Sequence, residues 1–427
     1  MKIRIVNARI LTMEEGSEVF QGEIQISGSR ITYVGAPVET QEVFDRVIDA
    51  KQNLVLPGFK NAHTHSAMTF LRSSADDLPL LEWLNEQVFP FEAKLTADDI
   101  YWLSKLAILE YATSGITAVM EMYMEPEAIA QSFEEMGMRI VQVGAANNFS
   151  QSTELVEHWL NTLNNQSELT SFRIGFHAEY TCSEDFIERI ADIAARHKEP
   201  VFTHISEGQP EVDECIGRYG MTPVAFLVKK GIFQYGGAGY HLVHTTPGDI
   251  ELLKENGIAV VTNSGSNMKL ASGTAPIEDY LKAGIPVAIG TDGPASNNCL
   301  DIFREMFLTT GMAKLRAGSA AALPAREVLK MVTCSAARIM TIPDADVLAP
   351  GKLADLVMID LNQPNMQPIN KIDCNLVYSG SKQNVMMTMV HGKVLYDQFD
   401  GRQHFHFPQE PEEIYETCQK IRDRILG

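Results

Sequence analysis

Between residues 56 and 344 the chain repeats one pattern: a short apolar run, a turn, then an amphipathic segment that often opens on Pro or Ser and stops at Gly. The apolar runs lie near 56–63, 116–121, 139–144, 173–177, 200–205, 237–242, 258–262 and 286–291, eight in all. Pro126 opens a segment whose Ile129, Phe133 and Met136 share a helical face and which Gly137 ends. Ser183 can cap the next, with Ile187, Ile190 and Ala194 inward, and Pro247 with Gly257, then Pro276 with Gly284, bracket two more. Eight strands, each followed by a helix, point to an α/β chain built on a TIM-like (β/α)8 barrel. A doubly wound sheet would need a nucleotide loop. The run Gly236-Gly237-Ala238-Gly239 lacks the last Gly of that fingerprint and leads into a strand, not out of one.

The flanks have a different texture. Lys2 to Ile10, Gly22–Ser27 and Arg30–Val34 read as strands, and strands return over Lys352–Ile359, Val385–Val390 and Lys393–Tyr396. Neither flank alone has enough strands to bury a face. The two chain ends are therefore expected to meet in a small β-sandwich domain of residues 1–55 and 345–427, with the catalytic barrel over 56–344. A last helix, begun by Pro411, carries Ile414, Cys418, Ile421 and Ile425 on one stripe and is expected to dock on the body.

Composition narrows the partners. A net charge of −20 argues against nucleic acid or an anionic membrane, both of which need a basic surface. The six cysteines have no Cys-x-x-Cys spacing, so neither a disulfide framework nor a thiolate metal site is indicated. The segment Met1–Val6 mixes charge into its apolar residues and lacks a signal-peptide core, and no run reaches membrane-spanning length. The expectation is a cytoplasmic enzyme with a small-molecule substrate, its assembly into a homo-oligomer left open.

The chemistry gathers at the strand ends. His63 and His65, two apart at the end of a strand, point the same way and can hold one ion together. His177, His204 and His241 each end a later apolar run, and Asp292 follows Val287-Ala288-Ile289. Barrel active sites sit at this end of the strands. Imidazole and carboxylate without thiolate suit Zn²⁺ or Fe²⁺, and three His plus one Asp leave room for water, whose pKa such an ion lowers toward roughly 7. Hydrolysis is the expected chemistry. Glu207, three residues past His204, can carry protons without being a ligand. His241 can polarise the atom under attack, and Asp292 can bind with one oxygen and take a proton with the other. His244 is expected to be structural, and the other five histidines have no such context.

An ordered set of motifs adds a family. The runs Pro57–His65, Ala75–Leu84, His204-Ile205-Ser206-Glu207, Ser266–Gly273 and Gly290–Asn298, with Gly351–Val357 at the return to the flank, resemble the amidohydrolase superfamily. Within it they are most similar to the methylthioadenosine/S-adenosylhomocysteine deaminase group. The resemblance implies one divalent metal, zinc with iron as the alternative, held by His63, His65, His204 and Asp292, with Glu207 and His241 catalytic. It implies too that Glu92 binds the ribose and that His177 and Ser296 line the substrate pocket. No lysine ends the fourth strand, where relatives with two metals carry one, so a single metal is expected.

Two departures bear on the substrate. Relatives carry Arg just after the third strand, where this chain reads Val143 to Phe149 without one, and His-Asn-Pro where it reads Thr262-Asn263-Ser264. The expected activity is deamination of a 6-aminopurine nucleoside to its 6-oxo product, with a small or apolar 5′ end favoured over the homocysteine tail. Action on a guanine-, pterin- or triazine-like ring, or a barrel without catalysis, are the alternatives.

Overall fold

The computed structural model describes residues 1–74, 76–78, 82–164 and 166–427. Ala75 and Pro79–Leu81, part of one motif quoted above, lie outside the described residues. Eight parallel strands run in chain order: β1 (Phe59–Thr64), β2 (Ile116–Met122), β3 (Arg139–Val143), β4 (Thr170–Ala178), β5 (Val201–Ile205), β6 (Gly237–His241), β7 (Ile258–Thr262) and β8 (Val287–Ile289). Between β8 and β1 the ring closes through side chains and two backbone amides. Asn61 takes Thr291 by both its hydroxyl (2.7 Å) and its N–H (2.8 Å), and the Asp292 N–H reaches the His63 carbonyl at 3.0 Å.

The helices follow the punctuation in the sequence. Pro126–Met136 starts on its Pro and ends at Gly137, whose φ of 73° suits a residue without Cβ. Glu184–His197 is capped by the Ser183 hydroxyl, and Pro247–Glu255 by a reciprocal pair between Thr246 and Asp249. Among the described residues, no helix is long and apolar enough to cross a membrane.

Strands from the two chain ends join in one nine-stranded sheet. Leu54–Pro57 pairs antiparallel with Leu356–Ile359 and parallel with Lys2–Ile10, so the N-terminal and C-terminal segments share one ladder. Its core, including Ile3, Ile5, Ile24, Ile26, Met387 and Met389, is separate from the barrel's. The apolar run 54–59, continuous in sequence, is divided between the two sheets at Gly58, where an added Cβ would lie 2.1 Å from the Thr117 side chain. Helix Pro411–Leu426 buries Ile414, Cys418, Ile421 and Ile425, and Lys94 and Arg424 join it to the barrel through the Ile425 carbonyl and Asp99.

Candidate active site

The strand geometry brings the chemistry-bearing side chains to one end of the barrel. The Nε2 atoms of His63 and His204 are 3.1 Å apart, and Asp292 Oδ1 lies 3.6 Å from His63 Nε2 and 3.2 Å from His65 Nε2. His241 Nε2 is 3.9 Å from Asp292 Oδ2 and 3.6 Å from Glu207 Oε2. Ser206, His241, Leu242 and Asp292 all take left-handed φ between 46° and 69°, a conformation that costs a non-glycine residue energy and turns the chain sharply as it leaves the strand.

The opposite edge of most of these rings is already occupied. His65 Nδ1 lies 2.6 Å from the Met122 carbonyl and His204 Nδ1 2.7 Å from the His177 carbonyl. A carbonyl only accepts, so each Nδ1 carries a proton and Nε2 is the nitrogen left for a ligand. His241 Nδ1 meets Asn267 Oδ1 at 2.7 Å. His63 is fully buried, stacks on Tyr240 with ring centres 3.8 Å apart, and has no hydrogen-bond partner for Nδ1 among the described residues. Its burial is compensated only by what Nε2 meets.

Electrostatics set the protonation pattern. Burial drives His63 and His204 well below the ordinary imidazole value, and the neighbouring histidines add to this. Burial acts the same way on His65, but the hydrogen bond and charge of Asp292, with Glu121 behind, raise it to about 9. Burial would raise Asp292, yet the His65 hydrogen bond and the charges of His241, His65 and His63 hold it well below the usual carboxylate range. Glu207 is raised, chiefly by burial, with His241 opposing. Two sets of donor atoms converge, His63 with His204 and His241 and His63 with His65 and Asp292, with no thiol among the described lining residues. Such imidazoles and a carboxylate fit a divalent cation, whose binding would displace the proton that Asp292 favours on His65. His63, His65, His204 and Asp292 could hold it, and His241 lies close enough to His63 and His204 to be a further donor.

Above this cluster opens a cavity of about 510 Å³, walled by Trp83, Leu84, Val88, Phe89, Met122 and Phe149, with His65, His177, His204, Glu207, His241 and Asp292 at its base. Glu92 lines it and accepts from Tyr123 Oη at 2.6 Å; burial pushes its carboxyl up to about 7. His177 lines it too, neutral because burial lowers it to about 4. Ser296 sits elsewhere: it is buried behind Asp292, donates to Oδ2 at 3.1 Å, and is not among the residues lining the cavity. Thr262 is likewise buried away from the cavity, and Asn263 makes the contact to His241 Nε2 at 3.3 Å. His244 donates to or accepts nothing at the cluster; its Nε2 meets the Ser272 carbonyl at 2.7 Å.

Several supporting residues carried no role in the sequence reading. Glu121 accepts the Ser66 N–H at 3.0 Å and the Ser66 hydroxyl, fixing the turn after His65. An acid closing the apolar run of β2 was a visible signal. Asn267 lies inside a quoted motif, whereas nothing in Tyr123 or Tyr240 distinguishes them from core aromatics.

Residues 54–395 match the amidohydrolase family. A 5-methylthioadenosine/S-adenosylhomocysteine deaminase of Pelotomaculum thermopropionicum is 38% identical, covering 100% of this chain and 99% of its own. One of Caldanaerobacter subterraneus is 38% identical, covering 93% and 94%. Among solved structures, an adenosine deaminase from Xanthomonas campestris with bound zinc superposes with a TM-score of 0.91 at 29% identity, covering 100% of this chain and 98% of its own. A zinc-complexed atrazine chlorohydrolase from Arthrobacter aurescens, at 22% identity and a TM-score of 0.90, shares the fold. With a strand-end His and Asp cluster inside a matched span that covers most of its length, this chain belongs to the amidohydrolase family.

Proposed function

We propose that the protein is a hydrolytic deaminase that replaces the 6-amino group of an adenine nucleoside with oxygen and releases ammonia, using one zinc ion. The observation that carries this reading is the position of Glu207: buried, raised in pKa, at the base of the cavity and 3.6 Å from His241, beside the cluster but outside it. Relatives that cover the full chain and bear a deaminase name support it. When bound, a divalent cation acidifies water at the site, which hydrolysis at a ring carbon needs.

The chain's own groups then account for every proton. Glu207, its pKa raised by burial, serves as the proton donor to ring N1 as oxygen adds at C6. Asp292 Oδ2, steadied by the Ser296 hydroxyl, takes the proton released by the attacking water. His241, its ring pinned by Asn267, braces the oxygen at C6. Asp292 returns its proton to the amino group, Glu207 recovers one from the new hydroxyl, and the C6–N bond breaks to leave the 6-oxo ring and ammonia. Glu92, linked to Tyr123, binds the ribose hydroxyls, and His177 presents a neutral ring to the substrate. Catalysis falls to residues 56–344, with 1–55 and 345–427 in support.

The 5′ end is read by apolar walls. No Lys or Arg is among the described residues lining the cavity. A homocysteine carboxylate buried there forfeits a charge-assisted bond worth roughly 1.5–3 kcal/mol, about one to two decades in affinity. Methylthioadenosine, 5′-deoxyadenosine and adenosine should therefore exceed S-adenosylhomocysteine in kcat/KM at equal zinc loading. Parity or better for S-adenosylhomocysteine would refute the tail argument. Turnover of guanine, pterins or triazines with none of any adenine nucleoside would refute the reaction assigned.

A further inference from the structure

The turn that carries Glu207 is gripped by a carboxylate that takes no part in the steps above. β5 ends at Ile205, and Ser206, at a φ of 52°, swings the chain so that Glu207 reaches the cluster. A non-glycine residue keeps such a conformation only where its surroundings over-determine it. Glu211, buried on the first turn of helix Gln209–Tyr219, supplies the restraint: Oε1 accepts the Ser206 N–H at 2.8 Å and Oε2 the Glu207 N–H at 2.9 Å. On its other side the Ser206 carbonyl accepts the N–H groups of Val243 and His244, both at 3.0 Å, which ties the turn to the segment just after His241. One residue thus registers the proton carrier against the neighbouring histidine.

We propose that Glu211 is a positioning residue for proton transfer, holding Glu207 over the reacting ring by accepting two adjacent backbone amides with its two carboxyl oxygens. The inference rests on Glu207 being the proton carrier. A carboxylate is required because an amide has one acceptor oxygen, and its NH2 would face the second backbone N–H. Were Glu211 only a cap for its own helix, its loss would lower stability and leave the chemistry of folded enzyme intact.

The test is a double-mutant cycle on the zinc-loaded protein with methylthioadenosine or adenosine, whichever wild type turns over faster. Glu211→Gln should lose about 10- to 100-fold in kcat, the scale of a small misplacement of a reacting group, with KM within about three-fold of wild type and zinc content unchanged. Glu211→Asp, which keeps both acceptor oxygens, should fall between Glu211→Gln and wild type. Adding Glu211→Gln to Glu207→Gln should change kcat by no more than about two-fold, because the second residue acts only through the first. Wild-type kcat in Glu211→Gln, a loss that multiplies with that of Glu207→Gln, or a loss that follows zinc content would each overturn this inference while leaving the deaminase reading in place. Wild-type kcat in Glu207→Gln would overturn both.

Discussion

Asp292 divides its two oxygens between two tasks. Oδ1 faces the Nε2 atoms of His65 and His63, while Oδ2 accepts from Ser296 and lies on the side of His241. Its depressed pKa keeps the carboxyl ionised at neutral pH, which the proposed roles of ligand and proton acceptor both require. Purified protein should carry about one zinc per chain, and Asp292→Ala or His204→Ala should lose both metal and activity in elemental analysis and assay. Full zinc occupancy in His63→Ala/His65→Ala would exclude this cluster as the site. Ser296 gives a sharper discrimination. Its hydroxyl meets Asp292 and not the cavity, so Ser296→Ala should lower kcat by about ten-fold, the worth of one hydrogen bond to a charged group, with KM nearly unchanged. A rise in KM with kcat intact would instead place Ser296 on the substrate, as the family resemblance implied.

At the scale of elements, two glycines that look alike in sequence are expected to behave in opposite ways. Gly237 opens β6 at a φ of 139°, and a Cβ there would fall 1.9 Å from the Val201 carbonyl oxygen on β5. Gly217 lies inside helix Gln209–Tyr219 with nothing within 4 Å of where its Cβ would be. Gly217→Ala should therefore raise stability by about 0.5–1 kcal/mol, from helix propensity and a less free unfolded chain, while Gly237→Ala should cost more than that. Denaturant midpoints would check both; equal shifts would mean that β5 and β6 can separate without penalty. Close strand approach thus accounts for Gly237 within the run Gly236–Gly239, which its lack of a nucleotide fingerprint had left unassigned.

Across the whole molecule, one buried ion pair joins barrel to flanking sheet. Arg139, the first residue of β3, reaches Asp355 with Nε at 2.6 Å and Nη2 at 3.2 Å, and Asp355 also accepts the His391 N–H at 2.8 Å. Burial would raise the Asp355 pKa, but the charge and hydrogen bonds of Arg139, with Lys60 and the His391 amide, lower it below 3.8. A carboxyl depressed in the folded state contributes stability that is present above its unfolded value and is lost as pH falls through its folded one. Acidification below about 3.8 should therefore erode stability in wild type and less so in Asp355→Ala. At neutral pH that variant should be about 3–5 kcal/mol less stable, because it strands a buried guanidinium. A loss under 1 kcal/mol at neutral pH would show that water reaches Arg139 once its partner is gone.

Much of this was legible because local rules and the global fold agree. Pro and Gly mark helix ends wherever the backbone needs a fixed or a left-handed φ, and apolar strands in a barrel are buried on both sides, so their runs stand out in any reading. The His-x-His spacing, the later strand-end histidines and Asp292 announced a cluster for the same reason: alternation along a strand is a one-dimensional rule. What one dimension does not carry is contact between elements far apart in the chain. That the run 54–59 splits between two sheets is decided by which strand lies alongside, Leu356–Ile359 on one side of Gly58 and β2 on the other. Whether Ser296 faces substrate or Asp292 depends on a turn at Asp292 whose left-handed φ no spacing announces. Glu121, Asn267 and Glu211 orient the turns and rings of the site, yet on their own stretches they read as a strand end, a loop polar residue and a helix cap. Their partners are set by packing, and only the tertiary structure brings those partners within hydrogen-bond reach.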